Sequence, residues 1–441
     1  MSGSNAFALL TLALVASQYV RLLIGGQIMD AILPVAMAGL VVMGLVALPK
    51  VKPLTRGLTA GLAAVSVLLL LTGSPLSALP AGLNDALTFA AYLPVLQLLR
   101  GVAGYLPAMM RAKDRFATLP KSASAAGFVV GAYGVGIIIT TGAHAVLAPL
   151  LGSNADEEER KRAALASLRG VSLTAFWSPF AVSVAFGAHN VPNAPVWLML
   201  VMGLAFATLG VFVAVAMEGG GRGLGLALRG LVPILPGTAI GALAVVIVAY
   251  FADISGLDAV ILVMPPLSLL ALFWQARGSL RPALAQVWQN IGRPSDEALL
   301  MPMALVLGHL IEAQPGLALS LAPFLQGLPV PVLLALAMGA LIGFGMIGLH
   351  PMVSAASIVA LFAGMPGAVS QIALLQAILI AWGFATMLSP SGVTLIVAAL
   401  AYRVPYPKLS FSKNILFALI VCSIAVVCLS LLDPVVRTLV R

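Results

Sequence analysis

Two serine–proline pairs, Ser178-Pro179 and Ser389-Pro390, and two histidines, His144 and His350, stand inside long apolar runs of this sequence. A hydroxyl can donate to a carboxylate or turn its lone pairs to a cation. An imidazole titrates near neutrality, so it can carry a proton or present a switchable positive charge. Proline has no N–H and clashes with the preceding helical turn, so each Ser-Pro pair is expected to break a helix and bare backbone donors and carbonyls. Thr140 and Thr141 stand before His144, Ser354 follows His350, Ser183 follows the first pair, and Ser391 and Thr394 follow the second. This is chemistry for holding a small ion. No H-E-x-x-H or Cys-x-x-Cys run exists, and no Ser, His and Asp are grouped at one depth, so an enzyme is not expected and neither is a cofactor or a bound metal cofactor. Each residue also has a plainer use: hydroxyls pack membrane helices together, a single Ser-Pro is a kink, and a neutral histidine can bond to backbone.

The elements that must position these residues are set by composition. The chain has 441 residues, 61% hydrophobic and 8% charged, with a mean hydropathy of +1.11. Soluble chains average about 25% charge, and so few polar side chains cannot coat a globule in water. The expected fold class is therefore an all-α polytopic membrane protein. The formal charge of +9 comes from basic residues scattered between apolar runs without an aromatic platform, so nucleic acid is not an expected partner and the bilayer is. Cys422 and Cys428 lie in one apolar run and suggest no disulfide framework. The start of the chain lacks a basic n-region, which favours a first membrane helix over a cleaved signal peptide, although Val15, Ala16 and Ser17 resemble a cleavage site.

A crossing needs about 20 apolar residues, and loops rich in Lys and Arg stay in the cytoplasm. Both rules are met by about eleven transmembrane helices, at 6–23, 31–48, 58–72, 83–99, 171–188, 195–217, 231–251, 259–274, 299–311, 372–402 and 415–432. The stretch 122–153 lies between Lys121 and the run Arg160, Lys161, Arg162, and is too short for two full crossings. It is expected to be a re-entrant hairpin from the cytoplasmic side, with Thr140, Thr141, Gly142, Ala143 and His144 at its tip. From 313 to 402 there is no Lys, Arg, Asp or Glu. That length leaves room for a second hairpin, 331–363, entering from outside with Gly348, Leu349, His350 and Pro351 near its tip. On this path every basic residue is cytoplasmic except Arg21, Arg437 and Arg441, and Arg21 reaches the outer face near Asp30. The expected location is the cell inner membrane, multi-pass, with the N-terminus cytoplasmic and the C-terminus outside.

The scheme divides into two inverted-topology repeats, 1–220 with the cytoplasmic-side hairpin and 221–441 with the outer one. Gly134-Val135-Gly136 precedes the first tip and Gly343-Phe344-Gly345 the second; the two Ser-Pro pairs recur at nearly the same offset, about 210 residues. Two short matches in so biased a composition can also arise by chance. A broken helix beside a hairpin tip in each half builds a midplane ligand site from half-helix ends, whose N-termini favour an anion. The expected substrate-binding residues are Thr140, Thr141, His144, Ser178, His350, Ser354, Ser389, Ser391 and Thr394, with a sodium site conceivable at Gly142, Ser178, Gly348 and Ser389. Asp30, Asp85, Asp253, Asp258 and Glu312 fall near outer helix ends, so no carboxylate is expected at the midplane. Arg169 is expected to snorkel to the interface, and Trp177 and Trp382 to flank the cavity.

This order of crossings and hairpins resembles the divalent anion/sodium symporter family and the wider ion transporter superfamily, over nearly the whole chain at the level of topology. The run Ala385-Thr386-Met387-Leu388-Ser389-Pro390-Ser391-Gly392 looks like that family's broken-helix segment, and 176–183 like its first-half partner. The resemblance implies a homodimeric secondary transporter of a small organic, carboxylate-like anion, proton- or sodium-coupled, with alternating access of elevator type. The family's Ser-Asn-Thr tip motif is absent; Ser153-Asn154 falls at the cytoplasmic exit of the first hairpin instead. Sodium coupling and dicarboxylate specificity therefore do not carry over. Close variants are the membrane subunit of a binding-protein-dependent carrier of the tripartite type and an anion exporter. A channel would be separated by electrical recording.

Overall fold

A computed structural model describes the chain except residues 1–2, 25–26, 121–122, 153, 191–194, 220, 222, 294–295, 315, 317–319, 321–322, 326, 364–366 and 440–441. The expected ends of the first hairpin, Ser122 and Ser153, and the flanking Lys121 lie outside the described residues, as does the side chain of Asp30. Among the described residues the regular structure is helical, with 21 α-helices. The first seven are α1 (Gly3–Leu23), α2 (Gln27–Ala47), α3 (Pro53–Leu71), α4 (Ala78–Ala103), α5 (Pro107–Ala117), α6 (Ser124–Ile139) and α7 (Gly142–Leu147). Next come α8 (Glu157–Thr174), α9 (Val182–Asn190), α10 (Val196–Met217), α11 (Leu224–Leu231), α12 (Leu235–Ala252), α13 (Gly256–Gln275), α14 (Leu280–Ile291) and α15 (Asp296–Glu312). The last are α16 (Val330–Met346), α17 (Pro351–Ala363), α18 (Gln371–Leu388), α19 (Val393–Tyr402), α20 (Tyr406–Ser410) and α21 (Lys413–Leu439).

Nine helical stretches among the described residues are long and apolar enough to cross a membrane: α1 to α4, α10, α12, α13, α18 and the stretch Tyr406–Thr438. They overlap nine of the expected crossings, the one at 372–402 only in its first part, since α18 ends at Leu388 and the chain becomes helical again at Val393. The other two differ for visible reasons. The crossing expected at 171–188 is not one helix, because α8 stops at Thr174 and the chain becomes helical again only at Val182, with Ser178-Pro179 between. The crossing expected at 299–311 is α15, of 17 residues, and it opens with Asp296 and Glu297. Val35, Leu45, Leu68, Leu71 and Leu243 on α2, α3 and α12 are exposed; apolar surface so extensive suits lipid and not water. The chain is thus a helical protein of multi-pass membrane type.

Three helices that apolar runs alone do not reveal are amphipathic. In α5 the buried residues are Met109, Ala112 and Phe116, while Arg111, Lys113 and Arg115 are exposed; spacing of three and four residues puts the apolar side chains on one stripe. The same division shapes α11 and α14, whose buried residues are Ala227, Gly230 and Leu231, and Ala283, Val287 and Ile291. The charged run at 156–159 starts α8. The Asp156 carboxylate accepts the Glu159 N–H at 2.8 Å, and Glu157, Glu158 and Glu159 fill the first turn, where negative charge suits the helix dipole. Lys408 Nζ donates to Glu157 Oε1 at 2.5 Å, and this hydrogen bond together with the ammonium charge holds the Glu157 carboxyl below its usual range.

The chain forms two compact units, residues 1–105, 257–327 and 355–368 in one and 106–256, 328–354 and 369–441 in the other. Each draws on both sequence halves. In the first unit α4 is the enclosed helix, packed by α1, α14 and α15. Gly82 permits the α15 approach, since a Cβ there would lie 2.7 Å from Val306 Cα. Arg21 forms an ion pair with Asp258, and His309 Nε2 meets Asp85 Oδ2 at 2.7 Å. In the second unit α18 is the most enclosed span, and α6, α8, α10 and α21 pack around it or one another. Its close crossings are made by glycines facing backbone. A Cβ at Gly170 would stand 2.2 Å from Val129 O, at Gly203 1.9 Å from Phe176 O, and at Gly383 2.4 Å from Ser172 O.

Candidate functional site

Both Ser-Pro pairs break their helices, and the breaks lie in the second unit. In the C-terminal half α18 ends at Leu388 and α19 starts at Val393, so Ser389, Pro390, Ser391 and Gly392 form the non-helical link. A helix end leaves four carbonyls and a helix start four N–H groups without intrahelical partners; this link gathers both kinds. The Ser410 hydroxyl donates to one of the freed carbonyls, Leu388 O. The turn between α16 and α17 lies against the same link. Ser391 Oγ donates to Gly348 O at 3.0 Å, and the Ser389 and Ser391 hydroxyls are 3.0 Å apart. With Ser391 donating to the carbonyl, Ser389 donates to Ser391, leaving acceptor lone pairs on three oxygens. Gly348 has φ +97, which a glycine adopts freely. His350 Nδ1 accepts the Met352 N–H at 3.3 Å, and its ring lies edge-on to Trp382, 6.5 Å between centroids.

The N-terminal half repeats the pairing with different atoms. Ser178 Oγ donates to Ile137 O, in the last turn of α6, at 2.7 Å and accepts the Phe180 N–H at 3.2 Å. Ser183 Oγ reaches back across the break to Ala175 O at 2.7 Å. The α6–α7 turn rests on Thr140, at φ 45 and ψ −116. A β-branched residue in that region is a true outlier, and such strain, about 1 to 3 kcal/mol, persists where the surroundings fix it. A parallel links the glycine runs to the breaks. A Cβ on Gly136 would meet Thr174 Cγ2 at 3.2 Å, and one on Gly345 would meet Ala385 Cβ at 2.9 Å. Thr174 and Ala385 each stand one helical turn before the serine of their Ser-Pro pair.

The two broken helices touch one another along their first segments. Phe176 and Phe384 stack edge-to-face at 5.4 Å, and Gln376 Nε2 donates to Phe176 O at 3.2 Å. Of the expected site residues, Ser389, Ser391, Gly348 and His350 come together on the second link or the turn against it, and Thr394 is buried in the first turn of α19. Ser178 belongs to the first pairing, and Gly142 packs beside Ile139, with no bond to Ser178. Thr140 and Thr141 are half-buried, and their hydroxyls have no partner among the described residues. Ser354 Oγ is buried without a partner among the described residues. His144 is fully buried, its Nδ1 2.8 Å from Ser167 Oγ and its ring edge-on to Tyr402.

Arg169 corrects the expectation of snorkelling. It is 1% exposed; Nη1 bonds Glu218 Oε1 at 2.7 Å, Nε bonds Asn414 Oδ1 at 2.7 Å, and the guanidinium lies 5.7 Å from the Phe417 ring centre. No signal in a single sequence joins residues so far apart, since Glu218 reads as a helix-end charge and Asn414 as a loop residue. The Asp85–His309 pair was equally hidden. Among the described residues no group of three His, Cys, Asp or Glu side chains could hold a metal ion. No protein-family model matches the chain, and no curated protein matches it.

Proposed function

We propose that the chain is a secondary active transporter of a small organic, carboxylate-like anion, coupled to protons or sodium. The observation that carries this reading is the doubled arrangement of turn and break. In each half a glycine of a Gly-x-Gly run lies on the helix one turn before a Ser-Pro break, and a serine of that break donates to backbone at or beside the turn. Two copies of one arrangement, in halves of opposite expected sidedness, are the layout of an inverted-repeat carrier. On this reading 122–153 and 331–363 are re-entrant hairpins whose tips meet the breaks at mid-membrane depth. Irregular backbone at that depth is tolerated only where protein or a water-filled cavity covers it.

The N-termini of α9 and α19 then supply N–H donors and partial positive charge to a carboxylate. The oxygens of Gly348, Ser389 and Ser391 suit a hard cation such as sodium, while His350 suits a proton. The unit that contains both breaks would move as the transport body of a dimeric elevator. Uptake and counterflow in proteoliposomes, with carboxylates, sulfonates and inorganic anions under imposed proton and sodium gradients, tests the reading. His350→Ala and Ser389→Ala are expected to lower flux about tenfold or more while membrane insertion is kept, as loss of a charge-assisted contact implies. Unchanged flux in both variants would remove the assignment of the site.

A further inference from the structure

The second unit holds a cavity of about 540 Å3 that none of Gly348, Ser389 and Ser391 lines. Its polar walls are Arg160, Tyr402 and Arg403, set among apolar residues that include Ala148, Pro149 and Leu151, and among the described residues no Asp or Glu lines it. Arg160 is fixed in place: Nη1 donates to Ala155 O at 2.8 Å, and its Nε is buried with no acceptor among the described residues. Arg403 follows the last turn of α19, and its exposed guanidinium has no partner among the described residues. Of the carboxylates nearest in sequence, Glu159 is exposed in the first turn of α8 and does not line the cavity, and the other three have partners of their own. Asp156 caps α8, Glu157 accepts from Lys408, and Glu158 lies 3.7 Å from Lys161.

A concave site of this size with two guanidiniums and no carboxylate is electrostatically incomplete. Guanidinium forks match carboxylates two bonds at a time, and an apolar wall between polar anchors suits a short carbon skeleton. Inorganic phosphate would leave that wall unused. We propose that this cavity is a second anion site, which takes a short organic dianion, one carboxylate for each arginine. Binding stands on the cavity alone. Its role rests on the transport reading: a holding place for cargo, on the side of the chain where the basic loops gather.

Titration calorimetry on the purified full-length chain with succinate tests the site. Arg403 is exposed, so Arg403→Gln leaves the packed interior alone. It is expected to weaken succinate binding about tenfold, as loss of a charge-assisted bidentate contact implies. Arg403→Lys is expected to lose less, and added salt to weaken the affinity. The proposal is overturned if succinate does not bind, if it binds Arg403→Gln equally well, or if only inorganic phosphate or phosphatidylglycerol micelles bind in an Arg403-dependent way. Flux separates the two readings. Ser389-dependent uptake without Arg403-dependent binding sinks this site alone, whereas Arg403-dependent binding without uptake of any anion sinks the transport reading alone.

Discussion

The most enclosed charge in the second unit belongs to Arg169, and its surroundings determine what that charge does. Glu218, Asn414 and the Phe417 ring account for its side chain, so it anchors α8 to the end of α10 and the start of α21. Removing one partner of a buried ion pair leaves the other desolvated and uncompensated, at about 3 to 5 kcal/mol. Arg169→Ala is therefore expected to lower thermal stability in detergent by that order, and the double variant Arg169→Met/Glu218→Leu to recover much of it. Equal losses in the two would assign Arg169 a packing role alone. His144 is bound to Ser167 inside the packed unit, whereas His350 stands at a turn beside Trp382 and the Ser389 link. The two histidines look equivalent in the sequence, and their surroundings distinguish them.

At the scale of elements, the breaks depend on helices crossing closely enough to hold irregular backbone between them. Gly383 sets the α8–α18 crossing, with the Ser172 carbonyl 2.4 Å and Phe176 Cε1 2.9 Å from where a Cβ would be. Backbone cannot turn aside as a side chain can, so Gly383→Ala is expected to destabilise by about 1 to 3 kcal/mol, read as a lower unfolding temperature and less monodisperse protein on gel filtration. Full stability in that variant would mean that the crossing is looser than described. Most of this architecture was legible in the sequence. Apolar runs of sufficient length marked nine spans, and the prolines marked both breaks, because these signals are local. The amphipathic α5 and α11 were missed because short helices with basic faces read as loops when only apolar runs are sought, whereas the segment marked by Arg277, Arg281 and Arg293 reads as partly amphipathic and contains α14. The extension of α8 back to Glu157 was missed for a related reason: its charged first turn is a capped helix start, which a search for membrane spans discards. The Arg169–Glu218–Asn414 cluster and the cavity between Arg160 and Arg403 arise from packing between distant segments, which no local pattern encodes.

At the scale of the whole molecule, the compact units cut across the sequence halves, and both breaks fall in one of them. The proposed elevator reading needs the parts that hold the ligand to travel as one body, and it is supported by the two breaks sharing a unit, although 355–363 of the second expected hairpin belongs to the other unit. On the transport reading, the turns at Thr141 and His350 belong to tips that reach a water-accessible site from opposite faces of the membrane. Labelling of single cysteines with a membrane-impermeant maleimide tests it directly, using Thr141→Cys and His350→Cys in a background where Cys422 and Cys428 are replaced by serine. Reagent is expected to reach each position from at least one face, with the transported anion slowing the reaction at His350→Cys. If neither position reacts from either face, with or without an imposed gradient, the tips are buried in the protein and the account is wrong.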